Sequence, residues 1–237
     1  MTTATISEDY RIEQQKLHEN PKYGVASLSF APIVRSLLRL GKCASLSDYG
    51  AGKCNLKKAL RLRDGSGVRY QPYDPAFPEY GTPQPADLVT CIDVLEHIEP
   101  NSLDAVISEL ASISLKLAFL TVHTGPAKKV LSDGRNAHLI QESTSWWLGQ
   151  FEPYFDVLHV QQVRKGFFVI ACPRGAYRSL ASELDLPRIS REASRLGGRR
   201  RKPLSALIRK LTGATSAAIM SLGIFGDDLI AVACALG

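Results

Sequence analysis

No two cysteines in this 237-residue chain stand at the two-residue spacing of a metal knuckle or a redox pair. Cys43, Cys54, Cys91, Cys172 and Cys234 are scattered, and Cys54, Cys91 and Cys172 lie in or beside apolar elements. They read as reduced, buried thiols, which excludes a disulfide framework and a cysteine zinc site. Long hydrophobic runs are also missing. Residues 211–226 carry no charge, but Asp227 and Asp228 interrupt the apolar tail short of the roughly 18 residues that cross a bilayer. The first ten residues are polar and lack the charged-then-apolar pattern of a leader, so a cytoplasmic protein with no transmembrane segment is expected. Residues 1–187 have no excess of either sign, with 20 basic and 20 acidic side chains. Residues 188–210, where nine basic residues meet one acid, Glu192, carry +8, which Asp227 and Asp228 reduce to the net charge of +6. A broad basic face for nucleic acid is therefore not expected in the main domain.

What is present is a strand, a glycine turn and a helix start. Residues 45–54 run Ser-Leu-Ser-Asp-Tyr-Gly-Ala-Gly-Lys-Cys, and Leu56, Ala59 and Leu60 then follow helical spacing. Gly50 and Gly52 allow a backbone to approach a nucleotide-like ligand closely, although an ordinary βα turn would look the same. Asp74 ends a second strand-like run at about 67–73. It lies 26 residues after Asp48, where a βαβ unit places an acid for ribose hydroxyls. A third apolar run, about 86–92, leads into Asp93, Glu96 and His97.

In combination these segments resemble the class I S-adenosylmethionine-dependent methyltransferases over roughly residues 30–173. Asp48-Tyr49-Gly50-Ala51-Gly52 looks like the first glycine motif, Asp74 like the ribose-binding acid, and Asp87 to His97 like the fourth-strand motif. The resemblance implies an α/β fold, a Rossmann-like and mostly parallel sheet with a terminal antiparallel hairpin, flanked by helices. It implies S-adenosylmethionine as cofactor, held by Asp48, Tyr49, Gly50, Ala51, Gly52, Asp74 and Asp93. Cys54 stands where a third glycine is often found. One departure is plain. Residues 75–85 hold four prolines in eleven positions, leaving no room for the family's third strand and its helix, so that strand is expected to be short or missing.

Further elements follow from periodicity. Leu103, Val106, Ile107, Leu110 and Ile113 mark a helix with Asn101 or Ser102 as cap, and 115–122 reads as a strand. Residues 123–143 form a long polar loop with His123, Lys128, Lys129, Asp133, Arg135, Asn136 and His138. A helix at about 143–151 follows, capped by Thr144 or Ser145, with one of Trp146 and Trp147 in the core. Residues 156–163 and 166–172 read as a hairpin. Three domains result: 1–43, N-terminal helices forming a lid; 44–173, the methyltransferase domain; 174–237, a basic and apolar extension.

Three readings fit Asp93, Glu96 and His97. The carboxylate and imidazole can tether the next helix. His97, Glu96 and His138 can be catalytic, with His97 the natural general base because imidazole titrates near neutrality. Or Asp93, Glu96, His97 and His138 can bind Mg2+ or Mn2+, which resembles the metal cluster of small-RNA 3′-terminal 2′-O-methyltransferases. The expected activity is methyl transfer to an oxygen or nitrogen of a small-molecule or glycan-like acceptor. A metal-assisted RNA ribose 2′-O-methyltransferase is the alternative, and a non-catalytic module recruited by its basic C-terminal arm is another. Residues 188–210 admit a solvated linker, an arm for RNA or a membrane surface, or a helix packed on the domain.

Overall fold

The computed structural model describes residues 5–20, 23–63 and 65–198. Two helices come first, α1 (Glu8–His18) and α2 (Ala26–Leu40). There follow β1 (Ser45–Tyr49), α3 (Asn55–Leu60), β2 (Arg69–Tyr73), β3 (Ala86–Ile92), α4 (Leu103–Ile113), β4 (Ser114–His123) and α5 (Thr144–Phe151). A hairpin of β5 (Phe155–Val163) and β6 (Gly166–Pro173) precedes α6 (Tyr177–Glu183) and α7 (Leu186–Gly198).

One six-stranded sheet runs in the order β2-β1-β3-β4-β6-β5. β2, β1, β3 and β4 are parallel, while β6 is antiparallel to both β4 and β5. The fold is thus the Rossmann-like α/β fold with a terminal antiparallel hairpin. The missing third strand is confirmed: between β2 and β3 there is only a short turn of 3-10 helix, Pro78–Tyr80, and β2 is the sheet edge.

Strand alternation divides the core. Phe168, Ile170 and Cys172 of β6 join Leu46, Leu88 and Phe119 beneath α2, α3 and α7. Phe167, Val169 and Ala171 join Val89, Cys91 and Leu120 beneath α4 and α5. Both faces of the inner strands are covered, which is why they read as nearly continuous apolar runs. Trp147 is fully buried and Trp146 exposed, as adjacency on a helix requires. Cys43, Cys91 and Cys172 are free and buried, Cys54 free and half-buried.

One expectation changes and another is narrowed. The cap of α5 is Ser143, whose hydroxyl accepts from the Trp146 N–H, and neither Thr144 nor Ser145. Of the three readings of the basic run, its described part, up to Gly198, fits the helix packed on the domain and not the linker. α7 sets Leu186, Ile189, Ala193 and Gly197 against α2 and β5 and leaves Arg188, Arg191 and Arg195 exposed. Residues 199–237, including the rest of that run, Cys234 and the apolar tail, lie outside the described residues. Among those described, no helix is long and apolar enough to cross a membrane.

Candidate active site

The chain enters the sheet at β1, builds β2 on one side, then crosses to β3 on the other. That reversal opens a crevice at the carboxyl ends of β1 and β3. The glycine turn follows β1, Asp74 follows β2, Asp93 to His97 follow β3, and His123 ends β4. Four separated segments therefore meet at the carboxyl end of the parallel strands.

The glycine turn is built as its sequence demands. Gly50 and Gly52 have φ of +75° and +49°, and Cys54, in the third glycine position, is also left-handed at +53°. The Gly50 and Ala51 N–H groups donate to the Tyr73 carbonyl at 2.8 and 3.0 Å, fastening the turn to β2. Tyr49 contributes only backbone, since its ring packs on Tyr73 and its hydroxyl donates to Glu109.

Asp48 is buried and accepts from the hydroxyls of Tyr70 (2.6 Å) and Thr90 (2.9 Å), joining the three strands β2, β1 and β3. Burial pushes its carboxyl up to about 6, with the two hydroxyl bonds pulling the other way. Both oxygens of Asp74 accept backbone N–H bonds, Oδ2 from Gly52 and Oδ1 from Ala76, each at 2.9 Å. A carboxylate oxygen has two lone pairs, so Asp74 retains capacity for two ribose hydroxyls. In that respect the residues fit S-adenosylmethionine: a positive-φ turn at a helix start, beside an acid with acceptor sites to spare.

The same crevice is strapped by the N-terminal segment. Ser7 donates its N–H and hydroxyl to the Glu99 carboxylate at 2.7 and 2.8 Å, Gln15 donates to the Ala76 carbonyl, and Lys53 donates to the Asn20 carbonyl. The His18 ring lies edge-on to Tyr23 and Phe77, both at 5.0 Å. A Cβ added to Gly52 would come 2.8 Å from its Cε1, so the ring rests on the glycine turn.

At the other end three histidines cluster. The His138 ring is 4.7 Å, centre to centre, from both His97 and His123. His97 Nδ1 is 2.7 Å from the Ala137 carbonyl and His138 Nδ1 is 2.6 Å from the Gly125 carbonyl. A carbonyl only accepts, so each ring carries its proton on Nδ1 and keeps its lone pair on Nε2. Burial, then the neighbouring His138, pushes His97 down to about 3, and burial lowers His138 as well. Glu96 is wholly buried. Its Oε1 accepts the His123 N–H at 2.9 Å, while Oε2 has no hydrogen-bond partner. Burial, then Asp93, raises its carboxyl well above the usual range.

The structure brings Glu96, His97 and His138 together, with one donor atom of each within 4.8 Å of the others. Asp93 is not in that set: it accepts from the Thr121 hydroxyl at 3.0 Å and has a φ of +52°. The long loop is anchored by Asn136, whose side chain bonds both backbone groups of Ala127 and the His138 N–H. Asp133 and Arg135 pair with each other at 2.6 Å and form its turn. Sequence reasoning placed His123 in the loop and gave neither it nor His18 a partner. His123 stands one position past the expected strand end at 122, which was the available signal.

Four parallel strands followed by an antiparallel hairpin, without a third strand between β2 and β3, are what the resemblance in the sequence implied. No family model and no curated protein matches the chain. Solved structures similar to it include an O-methyltransferase family protein from Burkholderia thailandensis, 13% identical with a TM-score of 0.48 over 72% of this chain and 64% of that one. The chain thus spans less than two thirds of that protein. A 1,6-didemethyltoxoflavin-N1-methyltransferase from Burkholderia thailandensis, with 1,6-didemethyltoxoflavin and S-adenosylhomocysteine bound, is 14% identical with a TM-score of 0.49 over 72% and 92%. A mitomycin 7-O-methyltransferase is 16% identical with a TM-score of 0.47 over 68% and 60%. With these TM-scores below 0.5, the likenesses carry no argument here.

Proposed function

We propose that this chain is an S-adenosylmethionine-dependent methyltransferase acting on an oxygen or nitrogen of a small-molecule acceptor. One observation carries the reading: the left-handed glycine turn and the acid after β2 sit together at the switch point of the sheet, joined by the bond from Gly52 to Asp74. Gly50, Ala51 and Gly52 would line the cofactor with backbone, and Asp74 would accept from its ribose. Tyr49 supports the turn from behind. Asp48 acts at one remove, holding β1 to its neighbours through Tyr70 and Thr90. Asp93 would close the far side of the crevice.

When bound, S-adenosylmethionine supplies an electrophilic methyl carbon whose bond to sulfur breaks as the acceptor attacks, leaving the electron pair on sulfur. The chain must then orient the acceptor, exclude water and receive its proton. The histidine end of the crevice is the acceptor side. The Nε2 lone pairs of His97 and His138 are the proton acceptors it offers when no ion is present, and Glu96 fixes the backbone of His123 beside them. His97, held down to about 3, is a weak base at neutral pH. The strap of α1 would cover the cofactor once it is seated and the His18 ring has moved off the glycine turn.

Calorimetric titration of S-adenosylhomocysteine, in chelator, tests the reading. We expect saturable binding of one ligand per chain. Gly52→Ala should weaken it by at least about tenfold while the fold survives, because the left-handed φ of +49° costs an alanine only about 1–2 kcal/mol and the added methyl meets a ring edge of His18 that can turn aside. Absence of heat with the unmodified chain would falsify the proposal.

A further inference from the structure

We infer that Glu96 Oε2, His97 Nε2 and His138 Nε2 form a binding site for a first-row divalent transition-metal ion. The site stands on its own geometry. Its use with an acceptor rests on the methyltransferase reading.

Glu96 gives the first argument. A fully buried carboxyl oxygen with no partner is destabilising, and no protein group offsets the loss of its hydration. Among the described residues it is the one carboxyl with a buried, unpartnered oxygen, and one oxygen of this carboxyl and one nitrogen of each of His97 and His138 lie within 4.8 Å of one another. The histidines give the second argument. Each donates Nδ1–H to a backbone carbonyl, the arrangement that orients a metal-binding imidazole and raises its basicity. These supports come from separate stretches of the loop, Gly125 and Ala137. The loop itself is tied down by the Asn136 side chain and by the Ile140 N–H donating to the Glu96 carbonyl at 3.1 Å.

Distance is the third argument. Ligands about 2.1 Å from a shared ion lie roughly 3–4 Å apart, so a set already within 4.8 Å needs only small movements to close. A purely structural cluster would bond its polar atoms to each other. Here each Nδ1 and Glu96 Oε1 is bonded to backbone, leaving three lone-pair atoms in common.

Donor chemistry selects the ion. Two imidazoles with one carboxylate suit Zn2+, Mn2+, Fe2+ or Co2+, whereas Mg2+ prefers oxygen and keeps its waters. Three protein ligands leave positions open for the substrate. An acceptor bearing oxygens on neighbouring atoms could fill two of them. The ion would lower the pKa of the bound hydroxyl, whose proton passes to water. The resulting oxygen then forms the new bond to the methyl carbon as the carbon–sulfur bond breaks onto sulfur. In this state the histidines are ligands and not bases.

The test is a Co2+ titration of chelator-stripped full-length protein, followed by visible absorption. One Co2+ per chain with ligand-field bands, displaced by Zn2+ but not by a roughly hundredfold excess of Mg2+, supports the site. Glu96→Gln and His138→Asn should each weaken Co2+ at least about tenfold while S-adenosylhomocysteine binding and the circular dichroism spectrum stay unchanged. No bands in a chain that still binds S-adenosylhomocysteine overturns the site alone. Ready displacement by Mg2+ overturns the choice of ion. Bands without S-adenosylhomocysteine binding leave the metal site standing and sink the methyltransferase reading.

Discussion

The two ends of the crevice treat their polar groups in opposite ways. At the glycine-turn end every oxygen of Asp48 and Asp74 is bonded to protein, to two hydroxyls in one case and two backbone N–H groups in the other. At the histidine end Glu96 Oε2 has no partner and two imidazoles keep lone pairs on Nε2. A finished network rigidifies the backbone that shapes a ligand site. An unfinished one is costly unless something else completes it. The difference teaches that acids singled out by a motif are not all contacts: Asp48 and Asp74 build the loop as well as, or instead of, touching a ligand.

The largest expected effect breaks the finished end. Asp74→Ala would orphan the N–H groups of Gly52 and Ala76. At about 1–3 kcal/mol for each unsatisfied buried group, we expect a stability loss of about 4 kcal/mol by urea denaturation, with ligand binding lost through the loop. A loss below about 1 kcal/mol would mean that those N–H groups find water instead. The variant therefore cannot separate binding from folding, whereas Gly52→Ala can.

Next in size is a pH effect at Asp48. Its carboxyl is raised from 3.8 to about 6 in the folded chain. Between those values the folded protein holds a proton that the unfolded one has lost, so this group's contribution is greatest below 3.8 and is lost as pH rises through about 6. Asp48→Asn removes that dependence. From about pH 4 to about pH 7 the variant should gain up to about 3 kcal/mol relative to the parent, because each tenfold change in proton affinity is worth about 1.4 kcal/mol. Parallel stability curves for the two proteins across that range would show that Asp48 ionises freely despite its burial.

Much of the frame was legible in the sequence because it rests on local patterning. The run 86–92 became β3 with those bounds, the proline-dense 75–85 removed a strand, and 166–172 reappears as β6. The adjacency of Trp146 and Trp147 also settled that only one faces inward once a helix was assumed. What was not legible depends on register and on packing between distant segments. Tyr70 and Thr90 reach Asp48 only because β2 and β3 flank β1, and His18 reaches Gly52 only because α1 crosses the crevice. For α7 the sequence left a packed helix as one of three readings, for a different reason. Its charges dominate the pattern and mask its spacing: Leu186, Ile189, Ala193 and Gly197 mark one helical face inside the basic run.

The smallest effect sharpens the comparison at the point where the two ends meet the N-terminal strap. The His18 ring rests on the glycine turn, its Nδ1 is buried without a partner, and burial lowers its pKa despite the nearby Asp74. A side chain in that position competes with any ligand that needs the Gly52 backbone, so binding must include its displacement. The apparent affinity is then reduced by the fraction of chains in which the ring lies over the turn. His18→Ala should tighten S-adenosylhomocysteine by about threefold and speed its association in stopped-flow measurements. Weakening by about tenfold or more would instead make His18 a ligand contact, and the strap would belong to the finished end of the crevice as part of the binding surface.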